Sequence, residues 1–468
     1  MSPARGGAPE GEQGGGTDEV EKVSGAERRG RGTWRHAAFH VATTIATPAA
    51  YAPLPFALAS LGWPLGVCSL IIGTLVTWCS SLAVASLWQW NGHKHTSYRL
   101  LAKSIFALSS AAVVANFTWS DGKNLCFIQG HWGYWYVSFF QQVASVGNNI
   151  AIQIAAGSSL KAVYKHYYTA DDGAMTLQQF ILLFGAFELL FSQLPDIHSL
   201  RWVNAVCTAS TIGFAGTAIG VTIYDGHRID RKGVDYSLQG STASKIFRAF
   251  NALGTIAFSF GDAMLPEIQS TVREPVRINM YKGVSTAYTV IIMSYWTLAF
   301  SGYWAFGSEV QPYILSSLTV PRWTIVMANL FAVIQITGCF QIYCRPTYAH
   351  FEEHIQAKNT GYNARLWRLI YTSAYMVVIT LISAAMPFFA DFVSVCGAVG
   401  FTPLDFVLPA LAFLKAGKLP ENPVLRSAVK AICCSVAVLF SMVGALACIG
   451  AIRAIAIDIK TYKFFHDM

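Results

Sequence analysis

Charge is scarce in this chain of 468 residues. Only 12% of positions are Asp, Glu, Lys or Arg, about half of what a soluble domain carries, so an ordinary soluble fold is excluded. Its ten cysteines form neither a paired Cys-x-x-Cys motif nor a Cys/His ligand set, which leaves no basis for a structural metal site. Seven of them (Cys207, Cys339, Cys344, Cys396, Cys433, Cys434 and Cys448) fall inside apolar runs and read as small packing residues. No nucleophile and base at usable spacing, metal set or phosphate loop is present, so the chain is not read as an enzyme and calls for no cofactor. A repeated filter-like ring, as a channel would need, is missing too. Residues 1–32 are polar and glycine-rich, without the apolar core of a cleavable signal peptide. They read as a disordered tail, and 33–468 as one membrane domain.

What the chain has in abundance is apolar sequence. Hydrophobic residues make up 54% of it, and runs near 20 residues, each able to cross the hydrocarbon as a helix, recur from about 37 to 453. The expected fold is an all-α integral membrane protein of eleven spans. Their approximate limits are 37–60, 64–88, 133–160, 177–195, 200–224, 249–270, 284–306, 322–345, 367–387, 391–414 and 429–453, called spans 1 to 11. Placing the N-terminus in the cytoplasm puts 22 of the 33 lysines and arginines on that side, as the positive-inside rule requires, and the C-terminus outside. The net charge of +8 needs no nucleic acid, because basic loops facing an anionic leaflet account for it.

Two of these runs are broken about two hundred residues apart, at Thr44–Leu58 (TIATPAAYAPLPFAL) and Ala257–Ile268 (AFSFGDAMLPEI). Lipid offers a freed backbone group no partner, so such breaks persist only against protein or a water-filled cavity. Matching breaks in two halves of one chain predict a substrate site near mid-membrane. In the first, Pro48, Pro53 and Pro55 preclude one regular helix over Thr47–Pro55. The amides at the start of the outer half-helix suit the carboxylate of an amino acid, and Ala49, Ala50 and Ala52 allow close approach. The second break carries Asp262, after Ser259, Phe260 and Gly261, with Glu267 five residues on. Ionisable residues are costly at that depth and mark function, and these two are the candidates for binding and releasing a proton.

Further polar residues lie within spans. Gln141, Gln142, Ser145, Asn148, Asn149 and Gln153 share parts of one face of span 3, where amides either line a cavity or bond neighbouring helices. Glu188, Asp391, Asp405, Gln335, Thr337 and Gln341 are secondary candidates. His36 and His40 stand at the mouth of span 1, suited to an interface or a proton relay.

The residues then resemble a known family. Trp34-Arg35-His36 with Phe39-His40, Leu61-Gly62-Trp63, Gln193-Leu194-Pro195 with His198-Ser199-Leu200-Arg201, Leu265-Pro266-Glu267-Ile268-Gln269-Ser270-Thr271, Ser301 to Gly307, Met386-Pro387-Phe388-Phe389 and Pro403 to Pro409 look like the plant amino acid/auxin permease family. Within it they resemble the GABA transporter-like branch, beside the lysine/histidine transporter-like proteins. The resemblance covers roughly 33–468. It implies the inverted five-plus-five repeat of the bacterial leucine transporter, with helices 1 and 6 broken and the eleventh outside the core. It also implies proton-driven import of GABA or neutral amino acids, proline included, across the plasma membrane by alternating access. Substrate would lie between Thr47, Ala49, Ala50, Tyr51 and Ala52 on one side and Ser259, Phe260, Gly261 and Asp262 on the other. Spans 3 and 8 would form the walls, Asn148 and Asn149 among them. The partners implied are an amino acid, protons and the lipid bilayer. An auxin carrier or a nontransporting amino acid sensor remains the alternative.

Two departures stand out. Pro53-Leu54-Pro55-Phe56-Ala57 replaces a Leu-Pro-Tyr-Ala-Phe-like run, which leaves substrate preference open, and Ala107–His131 is inserted before span 3. That segment holds the Asn116-Phe117-Thr118 sequon, on the side where glycosylation does not occur. It reads as an alternative transcript, an unspliced segment or a disordered insertion.

Overall fold

The computed structural model describes residues 32–90, 93–114, 122–168, 175–193, 201–262, 264–319, 321–356 and 362–462. The tail, most of the Gln193 to Arg201 motif and the sequon lie outside them. Helices run into the inserted segment from both sides, as Tyr98–Val114 and Gly122–Tyr167.

All eleven expected spans correspond to helix. Span 1 is Trp34–Ile45, then Pro48–Tyr51 and the start of Leu54–Ser86; span 2 is the rest of that helix. The turn between them is made at Gly62, whose φ of 73° only glycine adopts freely, with Pro64 just beyond. Span 3 lies in Gly122–Tyr167, and spans 4 and 5 are Leu177–Ser192 and Arg201–Arg228. Span 6 is Thr242–Ser259 plus Leu265–Ser270, and span 7 is Val276–Phe306. Spans 8 and 9 are Arg322–Gln356 and Tyr362–Ala385. Span 10 runs from Phe389 to Ala416 through a π-helical stretch, Cys396–Val407; span 11 is Pro423–Thr461. Among the described residues, seven helical stretches are long and apolar enough to cross a membrane alone. Spans 3 and 4 are not among them, being respectively striped with amides and short, nor are the broken spans 1 and 6 as wholes, the second half of span 1 being counted with span 2.

Local chemistry sets the helix ends. Thr176 and Gln179 form a reciprocal capping box at the start of span 4, and the Asn422 side chain accepts the N–H groups of Val424 and Leu425 at the start of span 11. Gly417, in the left-handed conformation, ends span 10.

Spans 1, 2, 6 and 7 pack on one another, and spans 3, 4, 8 and 9 form a second group. Spans 5 and 10 touch both, while span 11 lies against spans 6 and 10. Spans 6 and 10 meet almost backbone to backbone: a Cβ on Gly397 would sit 1.9 Å from the Gly254 carbonyl oxygen. Because a main-chain atom cannot swing aside, Gly397→Val is expected to destabilise by at least about 1–3 kcal/mol, the usual cost of overpacking. Size-exclusion chromatography of the solubilised variant should show the monodisperse peak reduced or lost.

Candidate functional site

In the first break, two residues, Ala46 and Thr47, leave the helix, and Thr47 N–H turns back to the Ile45 carbonyl at 2.8 Å. The carbonyls that end the first half-helix are met by side chains. Tyr343 of span 8 donates to Thr44 O, Tyr295 of span 7 to Ile45 O at 2.7 Å, and Gln335 of span 8 to Ala46 O at 3.4 Å. The groups that unwinding frees are thus occupied by protein donors.

The half-helix beyond the break has fewer free amides than the sequence suggests. Pro48 has none, Ala50 and Tyr51 donate to Thr47 O, and Ala52 donates to Pro48 O. Ala49 N–H is left without an acceptor among the described residues. Beside it, the buried Thr47 Oγ1, Tyr51 hydroxyl and Gln335 Oε1 have no partner among the described residues. The side chains of Ala49, Ala50 and Ala52 are buried around this point.

The second break lies directly against the first. Ser259 donates its hydroxyl to Ala50 O, and Tyr295 has its ring 5.3 Å from that of Tyr51 and 5.5 Å from that of Phe260. Span 10 also packs tightly on the break at Gly261, where a Cβ would be 2.2 Å from the Phe401 ring. The carbonyls of Ser259, Phe260 and Gly261 accept no hydrogen bond among the described residues.

Asp262 is buried at the end of the break. Its Oδ1 accepts Met264 N–H at 3.2 Å, its own N–H donates to Asp405 Oδ2 at 3.0 Å, and its Oδ2 has no partner among the described residues. Asp405 comes from the wide π-helical stretch of span 10, where the Leu408 N–H reaches back five residues to Pro403 O. Glu267 accepts Tyr98 N–H at 3.5 Å and bonds the Gln141 side chain, while its Oε2 is unpartnered. The Tyr98 hydroxyl donates to Leu404 O at 2.6 Å. No lysine or arginine is bonded to Asp262 or Asp405 among the described residues.

Most of the amide stripe on span 3 binds helices together. Asn149 donates to the Tyr375 hydroxyl of span 9 at 2.8 Å and to Cys344 Sγ of span 8 at 3.3 Å, facing away from the breaks. Gln153 bonds Thr380 and Ser383 of span 9, and Ser145 bonds Tyr343 O and Thr347 of span 8. Asn148 differs, because it is buried on the adjacent face with its Nδ2 unpartnered. Glu188 is held by Gln341 of span 8 at 2.9 Å. Asp391, in the first turn of span 10, is buried and accepts the Asn251 Nδ2–H of span 6 at 3.5 Å. Gln153→Leu should therefore lower the unfolding temperature, by the equivalent of about 1–3 kcal/mol for the orphaned groups, while leaving substrate KM within about twofold; thermal unfolding and uptake kinetics separate the two.

A cavity of about 670 Å³ extends from the breaks toward the side where span 1 begins, called the basic side here. It is lined by Thr44 and Met264 at depth, Gln141 and Glu267 on its walls, and His36, His40, Arg99 and Arg345 at its mouth. The His36 and His40 rings stand edge to face, 4.3 Å apart. The opposite side is packed shut. Ile314 N–H donates to Ala52 O, the Tyr313 and Ser159 hydroxyls meet at 3.0 Å, and Trp63 lies 4.7 Å from Tyr303.

Sequence reasoning missed Tyr295, Tyr343 and Tyr98. Tyr295 and Tyr343 lie in apolar runs, where a tyrosine reads as an interfacial anchor, and Tyr98 lies outside every expected span; only a register between helices reveals which carbonyl each one meets.

Two broken helices that face each other within one four-helix group and pack against a second group define a membrane carrier of the inverted-repeat kind. Residues 30–452 match the family described as transmembrane amino acid transporter protein, and the chain belongs to it. It is similar to GABA transporter 1 of Arabidopsis thaliana, 32% identical over 454 residues that cover 94% of each chain. It is similar also to lysine histidine transporter-like 1 of Arabidopsis thaliana, 28% identical and covering 92% of this chain and 90% of that one. Two solved structures share its fold. One is a Na+-coupled sialic acid symporter in a substrate-bound outward-open state (TM-score 0.51, 13% identical, covering 94% of this chain and 92% of that one). The other is MhsT in complex with L-phenylalanine (TM-score 0.50, 11% identical, covering 90% and 100%). The fold is the five-plus-five one of the bacterial leucine transporter, with helices 1 and 6 broken.

Proposed function

We propose that the protein is a proton-coupled symporter that carries GABA or a neutral amino acid, proline included, into the cytoplasm by alternating access. The observation that carries this reading is the meeting of the two breaks beside Asp262 and Asp405, a buried and a half-buried carboxyl group in backbone contact with no basic partner among the described residues. Such a pair is costly to hold fully ionised in a dry interior, so proton binding is the least demanding way to change its charge during a cycle. Sodium coupling is less well supported, because the carbonyls at Thr44, Ile45 and Ala46 that could ligate a cation already accept from Tyr343, Tyr295 and Gln335.

In this reading the basic side is cytoplasmic and the membrane is the plasma membrane. A proton reaches Asp262 from outside. The substrate carboxylate takes the free Ala49 N–H with the Thr47 and Tyr51 hydroxyls, and its ammonium takes the open carbonyls of Ser259, Phe260 and Gly261. Closure over Tyr313 and Trp63 then leaves the conformation described above, whose cavity releases both past Glu267, His36 and His40. The 32% identity to a protein named GABA transporter 1 supports the substrate class. Uptake of labelled GABA, proline and other neutral amino acids by a transport-deficient yeast strain tests it. Uptake should rise as external pH falls and collapse with a protonophore. Uptake of auxin but no amino acid would make it an auxin carrier, and binding without uptake would make it a sensor.

A further inference from the structure

A second cavity, of about 460 Å³, lies away from the two breaks, on the basic half of the molecule. Spans 2 and 7 form one wall; the end of span 10, the following loop and span 11 form the other. Its interior is apolar, with Cys79, Phe413, Cys433 and Val436, and its rim residues Leu75 and Ile432 are 50% and 61% exposed, so the crevice opens sideways into hydrocarbon. Two cations close its basic end, Arg277 at the start of span 7 and Lys418 in the loop after span 10.

Neither cation meets a carboxylate among the described residues. Lys418 Nζ donates to Ser86 O at 2.7 Å, and Arg277 Nε donates to the Tyr281 hydroxyl at 3.0 Å. Burial first, and then the like charge of Arg277, hold the Lys418 ammonium below the ordinary lysine value. Two converging cations at the polar end of an apolar slot are complementary to one kind of occupant: an anionic head on a hydrocarbon tail. We propose that this crevice binds an anionic diacyl phospholipid, its phosphate between Arg277 and Lys418 and an acyl chain along Cys79, Phe413 and Val436. Basic pockets between membrane helices hold such heads by charge, while chain burial supplies the rest of the affinity. The lipid would join spans 2 and 7 to spans 10 and 11, across a seam that this protein's own side chains leave open.

The test is native mass spectrometry of the full chain in detergent with phosphatidylglycerol or phosphatidylcholine of matched acyl chains. Wild-type protein should retain phosphatidylglycerol about tenfold more than phosphatidylcholine, and that lipid should raise its unfolding temperature. The double variant Arg277→Gln, Lys418→Gln should lose the preference, and Val436→Trp, which fills the slot, should lose the bound lipid. Equal retention of the two lipids by wild type, or an unchanged preference in the double variant, would overturn the proposal. So would competition by glycerol phosphate alone, since the head without the chain would then suffice. Should a variant fail to fold, the wild-type unfolding temperatures decide: stabilisation by phosphatidylglycerol over phosphatidylcholine supports the site, and equal temperatures reject it.

Discussion

Asp262→Asn is expected to abolish gradient-driven accumulation while leaving the protein folded and in the membrane. The substitution keeps the shape of the side chain, and its remaining carbonyl oxygen can still accept Met264 N–H, the bond that Oδ1 makes now. What it removes is the capacity to bind and release a proton next to Asp405. One pH unit is worth about 1.4 kcal/mol, so a one-to-one symporter driven by that gradient can sustain about a tenfold concentration ratio. The variant should fall to a ratio near unity, yet still exchange labelled for unlabelled substrate when both sides are loaded. Accumulation at the wild-type level would remove Asp262 from coupling and leave Glu267 or Asp405 to be tested by the same assay.

Ser259→Val should be nearly as damaging, through the substrate and not the proton. Ser259 is fully buried, donates to Ala50 O and to Thr255 O at 2.9 Å, and makes the direct side-chain hydrogen bond between the two broken helices. Losing that bond costs about 1 kcal/mol, and the added methyl in a close-packed position about 1–3 kcal/mol more. Together this amounts to at least about a thirtyfold fall in uptake efficiency at equal surface abundance. Ser259→Ala, which loses the bond without overpacking, should fall by about fivefold. Initial uptake rates normalised to surface protein distinguish these outcomes, and a fully active Ser259→Val would place the substrate elsewhere.

The breaks were legible because proline lacks the donor a helix needs and glycine loosens it: Pro48 and the Ser259 to Asp262 stretch mark positions where helical hydrogen bonds end. Asp262 was legible for a similar reason, as a charge that lipid would not tolerate. Periodicity alone does not say which neighbour a face meets. Asn148 and Asn149 are adjacent in span 3, yet one keeps an unpartnered amide while the other is bonded to Tyr375 of span 9. Asp405 read as a minor candidate because it lies far from Asp262 in sequence, and the π-helical turn that brings it there depends on hydrogen bonds five residues apart that no composition signals. The number of free amides in the first break was also hidden, since it depends on the local turn at Thr47, which leaves Ala49 alone.

Whether protons drive this carrier is decided with purified protein in sealed proteoliposomes under an imposed pH gradient, with labelled GABA outside and a pH-sensitive dye inside. GABA should accumulate in step with the pH gradient, acidify the lumen as it enters, and need no sodium. Accumulation driven by a sodium gradient at equal pH on both sides, or GABA movement without acidification, would contradict proton coupling.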